Sequence, residues 1–412
     1  MPRYTYPLQW RQTWLRRNEL DIIQRIAWRA RAAFVTAHLE RQKDQGRLAI
    51  LVAHHLGIDA ARCRVEPTAQ WLRGSFNQCV AVGVDSAVTA ATSSRVLVRV
   101  PMAHRLAGMV DVKMRCEVAT YIWMQENCPD IPIPRLYGFG FPDGRHFTHA
   151  SLLPWYRRWP RCLWRRICAW LGRPIPSYYV EKAWVHDFPA GYLVLEFTNR
   201  GSPLAKSWFS PPVDPAKRQN LLRGISRLML CLARVPSDRI GSFTSDPGSG
   251  TISLANRPLT SCVVCIENDG SPRVIDAGQT YETVDPYVAD FPTLHDNRFS
   301  AQRNAVTGRE DCHYQMAVQA ILGITSGHYL DRAWRRGPFC MQFTDLHQGS
   351  IMSFMVALQE EESKGSSHLS MPMEQSIASR ATWFFHSLDS INAMYNIFDA
   401  KALSSCQRTS RR

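Results

Sequence analysis

Residues 95–122 read RVLVRVPMAHRLAGMVDVKMRCEVATYI, and two periods meet inside them. Val96, Val98 and Val100 recur every second residue, which predicts a strand with Arg99 on its opposite face; Pro101 ends it. Val110, Met114, Val118 and Ile122 then follow at i, i+4 steps, the spacing of an amphipathic helix. Glu117 falls on the face that holds Met114 and Tyr121, so a strand cation is followed by a helix carboxylate able to pair with it. Upstream, Val80, Val82 and Val84 mark a second strand, joined to the first by the Ser/Thr/Ala-rich loop 85–94. Gly74-Ser75-Phe76-Asn77 precedes that strand, and a glycine turn there lets backbone N–H groups approach phosphate oxygens. An arginine beside such a turn can grip phosphate bidentately.

Outward from this core, residues 7–56 read as helices, the last stopping at Gly57. A strand–turn–strand follows at 135–147 around Pro142-Asp143-Gly144, and a short apolar strand at Tyr192 to Phe197. Beyond Asn199 the pattern is mainly helical, at 220–232, 311–325 and 377–398, with a hairpin near Asp246-Pro247-Gly248 and an alternating stretch at 337–348. The expected division is a helical extension at 1–66, a small mixed lobe at 67–197 and a mainly helical lobe at 198–412.

Composition narrows the class. The 412 residues carry a net charge of +14 with 45% hydrophobic content, which fits a globular protein and excludes collagen, coiled coil and long-range disorder. No apolar run reaches the ~18 residues of a membrane span. Met1 to Trp10 lack the apolar core of a signal peptide, so the expected location is cytoplasmic. The 12 cysteines are scattered, and Cys262 and Cys265 form a C-x-x-C without the second pair that a zinc site needs. They are expected to be buried reduced thiols. The charge has an address: residues 1–62 hold 11 basic and 5 acidic side chains, and residues 151–180 hold 6 basic and none acidic. The second run interleaves Trp155, Trp159, Trp164 and Trp170 with its arginines over 155–173. It fits a flap packed on the small lobe, which is the favoured reading, or an interfacial helix on an anionic membrane surface; a nucleic-acid stacking platform is less favoured.

The order phosphate turn, strand cation, helix carboxylate, apolar strand and late acidic loop is that of a kinase fold. The chain resembles the aminoglycoside phosphotransferase-like family of the protein-kinase-like superfamily, in the form widespread in fungi. Gly74-Ser75-Phe76-Asn77, Val98-Arg99-Val100-Pro101, Glu117-Val118-Ala119-Thr120, Ile133-Pro134-Arg135, Gly191 to Glu196, Asn256-Arg257-Pro258-Leu259-Thr260 and Thr344-Asp345-Leu346-His347-Gln348 carry the resemblance. It implies an α+β, two-lobed protein-kinase-like fold with a helical N-terminal extension. It also implies transfer of the γ-phosphoryl of ATP or GTP, with Mg2+, to the hydroxyl of a small-molecule acceptor. In that frame Asp345 takes the acceptor proton, and Gly74, Ser75, Asn77, Arg99, Glu117 and Glu196 belong to the nucleotide site. Ser350 stands where a metal-binding Asn is expected, and Asn256 to Thr260 with Glu267-Asn268 would shape the acceptor pocket.

The pattern breaks after Ser350. The family strand Ile-Asp-x-Glu is replaced by Ile351-Met352-Ser353-Phe354-Met355-Val356-Ala357-Leu358, which holds no acid, and hard cations need fixed oxygen ligands. One account is a pseudokinase-like protein that binds a nucleotide or metabolite without turnover. The other is a misplaced splice junction between Gln348 and Met371, which explains why resemblance returns at Met371-Pro372-Met373-Glu374. A transcript read across residues 345–375 is expected to recover an Ile-Asp-x-Glu strand; a transcript matching the present sequence leaves the degenerate site as the account.

Overall fold

The computed structural model describes residues 22–353 except 75, 86–93, 107, 184–187, 189, 199–201, 205–214, 303–304, 307 and 344–350, together with the short pieces 384–385 and 394–396. The chain enters through helices α1 (Ile22–Asp44) and α2 (Arg47–Leu56). Gly57 ends α2 in the left-handed region at φ 68°, its N–H donating to the Ala53 carbonyl at 2.9 Å. Strands β1 (Cys63–Val65), β2 (Leu72–Arg73), β3 (Asn77–Val84) and β4 (Arg95–Pro101) follow, then helix α3 (Val110–Asn127). Next come β5 (Leu136–Gly140), β6 (His146–His149), helix α4 (Trp155–Trp170), β7 (Tyr179–Glu181) and β8 (Tyr192–Glu196). All of these strands form one antiparallel sheet in the order β1-β3-β4-β8-β5-β6-β7, with β2 pairing β3 beside β1.

The strands β3 and β4 are buried on both faces. Val80 lies opposite Val98 and Val82 opposite Val96, so the two valine sets share one face, which α2 covers with Leu48, Leu51, Val52 and Leu56. The other face carries Ala81, Leu97 and Leu193 and packs on Met114, Val118 and Ile122 of α3. The result is three layers, with β8 in the sheet centre. The region expected as a helical extension is therefore a wall of the core. Its boundary at 66 also shifts, because β1 belongs to the sheet through its pairing with β3.

A buried polar network fixes α2 on the sheet. His55 Nδ1 lies 2.8 Å from the Thr148 hydroxyl and Nε2 lies 2.8 Å from Tyr192 Oη, which also meets His146 Nδ1 at 2.7 Å. The His55 ring rests on Gly138, where a Cβ would sit 2.2 Å from Nδ1, so only glycine fits. Burial, with His54, His146 and Lys182 nearby, holds His55 well below its ordinary pKa.

The rest of the chain forms β9 (Ser202–Pro203), α5 (Pro215–Ala233), the hairpin β10 (Ser242–Ser245) and β11 (Ile252–Asn256), then α6 (Ser261–Asn268), α7 (Val284–Ala301), α8 (Arg309–Tyr329), β12 (Cys340–Gln342) and β13 (Ile351–Ser353). Its core is continuous with the α3 face of the sheet: Leu228, Leu232, Ile240, Phe243, Tyr281 and Phe339 join one cluster with Met114 and Ile122. Trp123 of α3 stacks on Phe243 of β10 at 5.0 Å. Helices α6 and α7 have no counterpart in the expectations. The helix expected over 377–398 is contradicted where that segment is described, since β14 (Phe384–Phe385) pairs β13 and β15 (Met394–Asn396) pairs β12. Free strand edges override a helical pattern in such a segment. Eleven cysteines of the described region are free, with Cys262 exposed on α6 rather than buried. Among the described residues no helix is long and apolar enough to cross a membrane.

An unfolded histidine titrates near 6.5, whereas folded His55 resists protonation, and burial lowers His54 and His149 to about 4. Below pH 6.5 the unfolded chain therefore binds more protons, and stability falls as pH falls. Thermal unfolding at pH 7.5 and pH 5 is expected to show the loss as a lower midpoint at pH 5. An unchanged midpoint would contradict the buried neutral network.

Candidate functional site

Alternation along β4 turns Arg99 away from the valine face and toward α3, with Cys79 and Leu193 as its cross-strand neighbours. The helical period brings Glu117 to meet it: Arg99 Nη1 lies 2.6 Å from Glu117 Oε1. One turn earlier Lys113 Nζ lies 3.1 Å from the other oxygen, Oε2. The side chains of Arg99, Lys113 and Glu117 are 3%, 3% and 2% exposed, so one carboxylate bridges two cations in the interior. Tyr121, a turn further on, borders the cluster; burial raises its phenol well above the ordinary value, against the nearby Arg99 charge.

The glycine turn joins the cluster through Phe76. Gly74 N–H donates to the Asn77 carbonyl at 2.9 Å, and Met102 N–H to the Phe76 carbonyl at 2.7 Å, which ties the turn to the end of β4. The Lys113 ammonium lies 5.6 Å from the centre of the buried Phe76 ring, close enough for a cation–π contact. Asn77 is itself buried at the start of β3, opposite Pro101. Gly74, Asn77, Arg99 and Glu117 thus gather at one end of the sheet beside the first turns of α3.

Glu196 does not join them. It ends β8 opposite Val96, and its Oε2 accepts the Arg135 backbone N–H at 3.3 Å, which braces β8 against the segment leading into β5. Ser75, Asp345 and Ser350 lie outside the described residues, as does His347. The strands on either side of the 344–350 segment are placed: β12 precedes it, and β13 follows it and pairs with β9, Met352 opposite Pro203. That register puts β13 beside β9, Ser353 opposite Ser202.

Lys113 escaped the sequence reading because a lysine one turn before a glutamate is usually a solvated i, i+4 pair. Its signal was the shared face with Glu117, Tyr121 and Met114. The 256–268 region also departs from its expected part in an acceptor pocket. Arg257 grips Glu267 with both Nη atoms, the Nη2 contact at 2.6 Å, and Nη2 also reaches Met109 Sδ at 3.1 Å. Asn256 Nδ2 lies 3.0 Å from Cys116 Sγ, and burial lifts that thiol to about 12. These contacts clamp the first half of α3 from the side opposite the sheet, and leave the Arg257 and Glu267 heads turned toward each other inside the protein.

Among the described residues no group of three His, Cys, Asp or Glu side chains is arranged to hold a metal ion. No family model matches the chain, and no curated protein or solved structure matches it.

Removing Glu117 strands two buried cations, whereas removing Lys113 leaves the Arg99–Glu117 pair intact. In urea unfolding, Glu117→Ala is expected to cost about 3–5 kcal/mol and Lys113→Met clearly less. Equal costs would mean that the carboxylate does not bridge the two.

Proposed function

We propose that the chain is a kinase-like phosphotransferase or its nucleotide-binding descendant, built on a two-lobed protein-kinase-like fold. It takes ATP or GTP at the turn 74–77 and Arg99. The observation that carries the reading is the buried Arg99–Glu117 pair between a sheet strand and the following helix, next to the glycine turn. Glu117 holds the Arg99 guanidinium in place by the ion pair, which lowers the entropy cost of ordering a long side chain on phosphate binding. Lys113 adds a second fixed positive charge on the same carboxylate. The strand order also supports it, since β8 runs centrally in the sheet and β13, which follows Asp345 in the sequence, pairs with β9.

In the transfer reading, the Asp345 carboxylate orients a small-molecule hydroxyl and accepts its proton while the terminal phosphoryl moves to that oxygen. The magnesium that such enzymes use is poorly served. Strand β13 carries Ile351, Met352 and Ser353, with no carboxylate, and Ser350 offers only a hydroxyl. The same observation favours a second reading, a catalytically silent protein that binds the nucleotide or a metabolite as a regulatory device.

Thermal unfolding with ATP, with and without magnesium, separates the readings. A ligand at 100 times its Kd stabilises by about 2.7 kcal/mol, visible as a shift of a few degrees. The expected result is a shift that Arg99→Met abolishes and Asp345→Asn keeps. Phosphoryl transfer to a hydroxyl acceptor that Asp345→Asn removes supports the enzyme, and a shift without transfer supports the silent binder. No shift under any of these conditions overturns both.

A further inference from the structure

Helix α4 is amphipathic with its faces reversed relative to an ordinary surface helix. Arg161, Arg165 and Cys168, at i, i+4 and i+7, face the body of the protein. Arg161 Nε donates to the Ser177 carbonyl at 2.8 Å and Nη2 to the Tyr179 carbonyl at 3.1 Å. Arg165 Nη2 pairs with Glu126 at 3.0 Å, and its guanidinium lies 3.7 Å from the centre of the Tyr178 ring. Cys168 is buried. The favoured flap reading is thus met on the arginine side alone.

The aromatic side faces solvent. At about 100° per residue, Trp155, Tyr156, Trp159, Leu163 and Trp170 fall within one arc of about 100° opposite the anchoring arginines. All five are exposed, Trp159 at 69% and Trp170 at 85%. Of the six arginines in 151–180, two turn inward, and Arg157, Arg158, Arg166 and Arg173 remain exposed, Arg166 within the aromatic arc and Arg157 and Arg158 outside it. At the N-terminal foot of α4 a cleft of about 840 Å³ is lined by Arg62, Arg157 and Lys182, with Asp59 as the acid beside them. Burial and the Arg157 charge lower the Lys182 pKa, a repulsion that an anion in the cleft would relieve.

We propose that α4 docks this protein on an anionic lipid bilayer. The Trp/Leu face enters the boundary between headgroups and acyl chains, the exposed arginines meet the headgroups, and the cleft admits one phosphate-bearing headgroup. Three features choose lipid over other occupants. The face mixes rings with Leu163, which an acyl boundary receives and a base-stacking platform does not use. The charged side chains of the helix itself are all arginines. The fold already holds the helix formed, so docking avoids the ordering cost that an unfolded amphipathic segment meets at a membrane. The anchor at Glu126 lies nine residues beyond Glu117, roughly 13 Å along α3 at 1.5 Å per residue, so the docking face is separate from the cation cluster.

Co-sedimentation of the full chain with phosphatidylcholine vesicles, with and without one third phosphatidylserine, tests this at low and high salt. Binding is expected to anionic vesicles only, to weaken with salt, and to fall by more than about tenfold in Trp159→Ala/Trp170→Ala, whose thermal midpoint stays unchanged because both side chains are exposed. Arg157→Glu/Arg158→Glu is expected to weaken it as well. No pelleting on anionic vesicles at low salt overturns the proposal, and so does undiminished pelleting of the double tryptophan variant. Light scattering supplies the remaining check: self-association that the tryptophan variant abolishes, without vesicle binding, would assign the face to a second copy of this chain.

Discussion

The carboxylate of Glu117 is the constraint on which the centre of the molecule depends. It lies in the interior with Arg99 on one oxygen and Lys113 on the other, and a charge so placed is tolerable only if its partners hold still. That requirement fixes the depth of α3 against the sheet and the rotation of the helix about its axis. From the other side Arg257, held by Glu267, reaches Met109 and Asn256 reaches Cys116, so α3 is held along its first turns by ionic and polar contacts as well as by packing. Hydrophobic burial could accept many rotations of a helix; two charge contacts at fixed distances accept very few.

The N-terminal helices contribute in a different way. A sheet with valines on one face and Ala81, Leu97 and Leu193 on the other must be covered twice, and α2 supplies the second cover. The His55–Tyr192–His146 network then sets where α2 sits, since each ring nitrogen involved has a defined oxygen to meet at 2.7–2.8 Å. The central strand β8 is tied by Tyr192 to this helix and by Glu196 to Arg135. The strand that leads out of the sheet is therefore anchored at both ends, which gives the junction with the following half a fixed starting point.

Much of this was legible residue by residue. The period of two at Val96, Val98 and Val100 placed Arg99 on the opposite face, and the period of four at Met114 to Ile122 placed Glu117 where it could reach. Both placements agree with the 2.6 Å contact. The hairpin around Asp143-Gly144 and the helix stop at Gly57 were equally plain, because turn and cap residues act through their own backbone. Lys113 drew no reading, Arg257 and Glu267 were expected at an acceptor pocket, and the burial of all three was not legible for a common reason. Their types are ordinarily solvated, and burial came from elements distant in the chain.

The sequence by itself determined the α+β class, the strand and helix registers around residues 95–122, and the pairing of a strand arginine with a helix glutamate. These follow from backbone geometry, in which a period states which side chains share a face. Only the tertiary structure decided what lies over each face: α2 on the valines, the hairpin β10–β11 along α3, and solvent over the tryptophans of α4. An amphipathic pattern has two faces, and the stretch Trp155 to Trp170 reads the same whether its arginines or its aromatics turn inward. The buried carbonyls of Ser177 and Tyr179 took Arg161, because buried acceptors without donors cost more than exposed rings do, and Glu126 added an ion pair with Arg165.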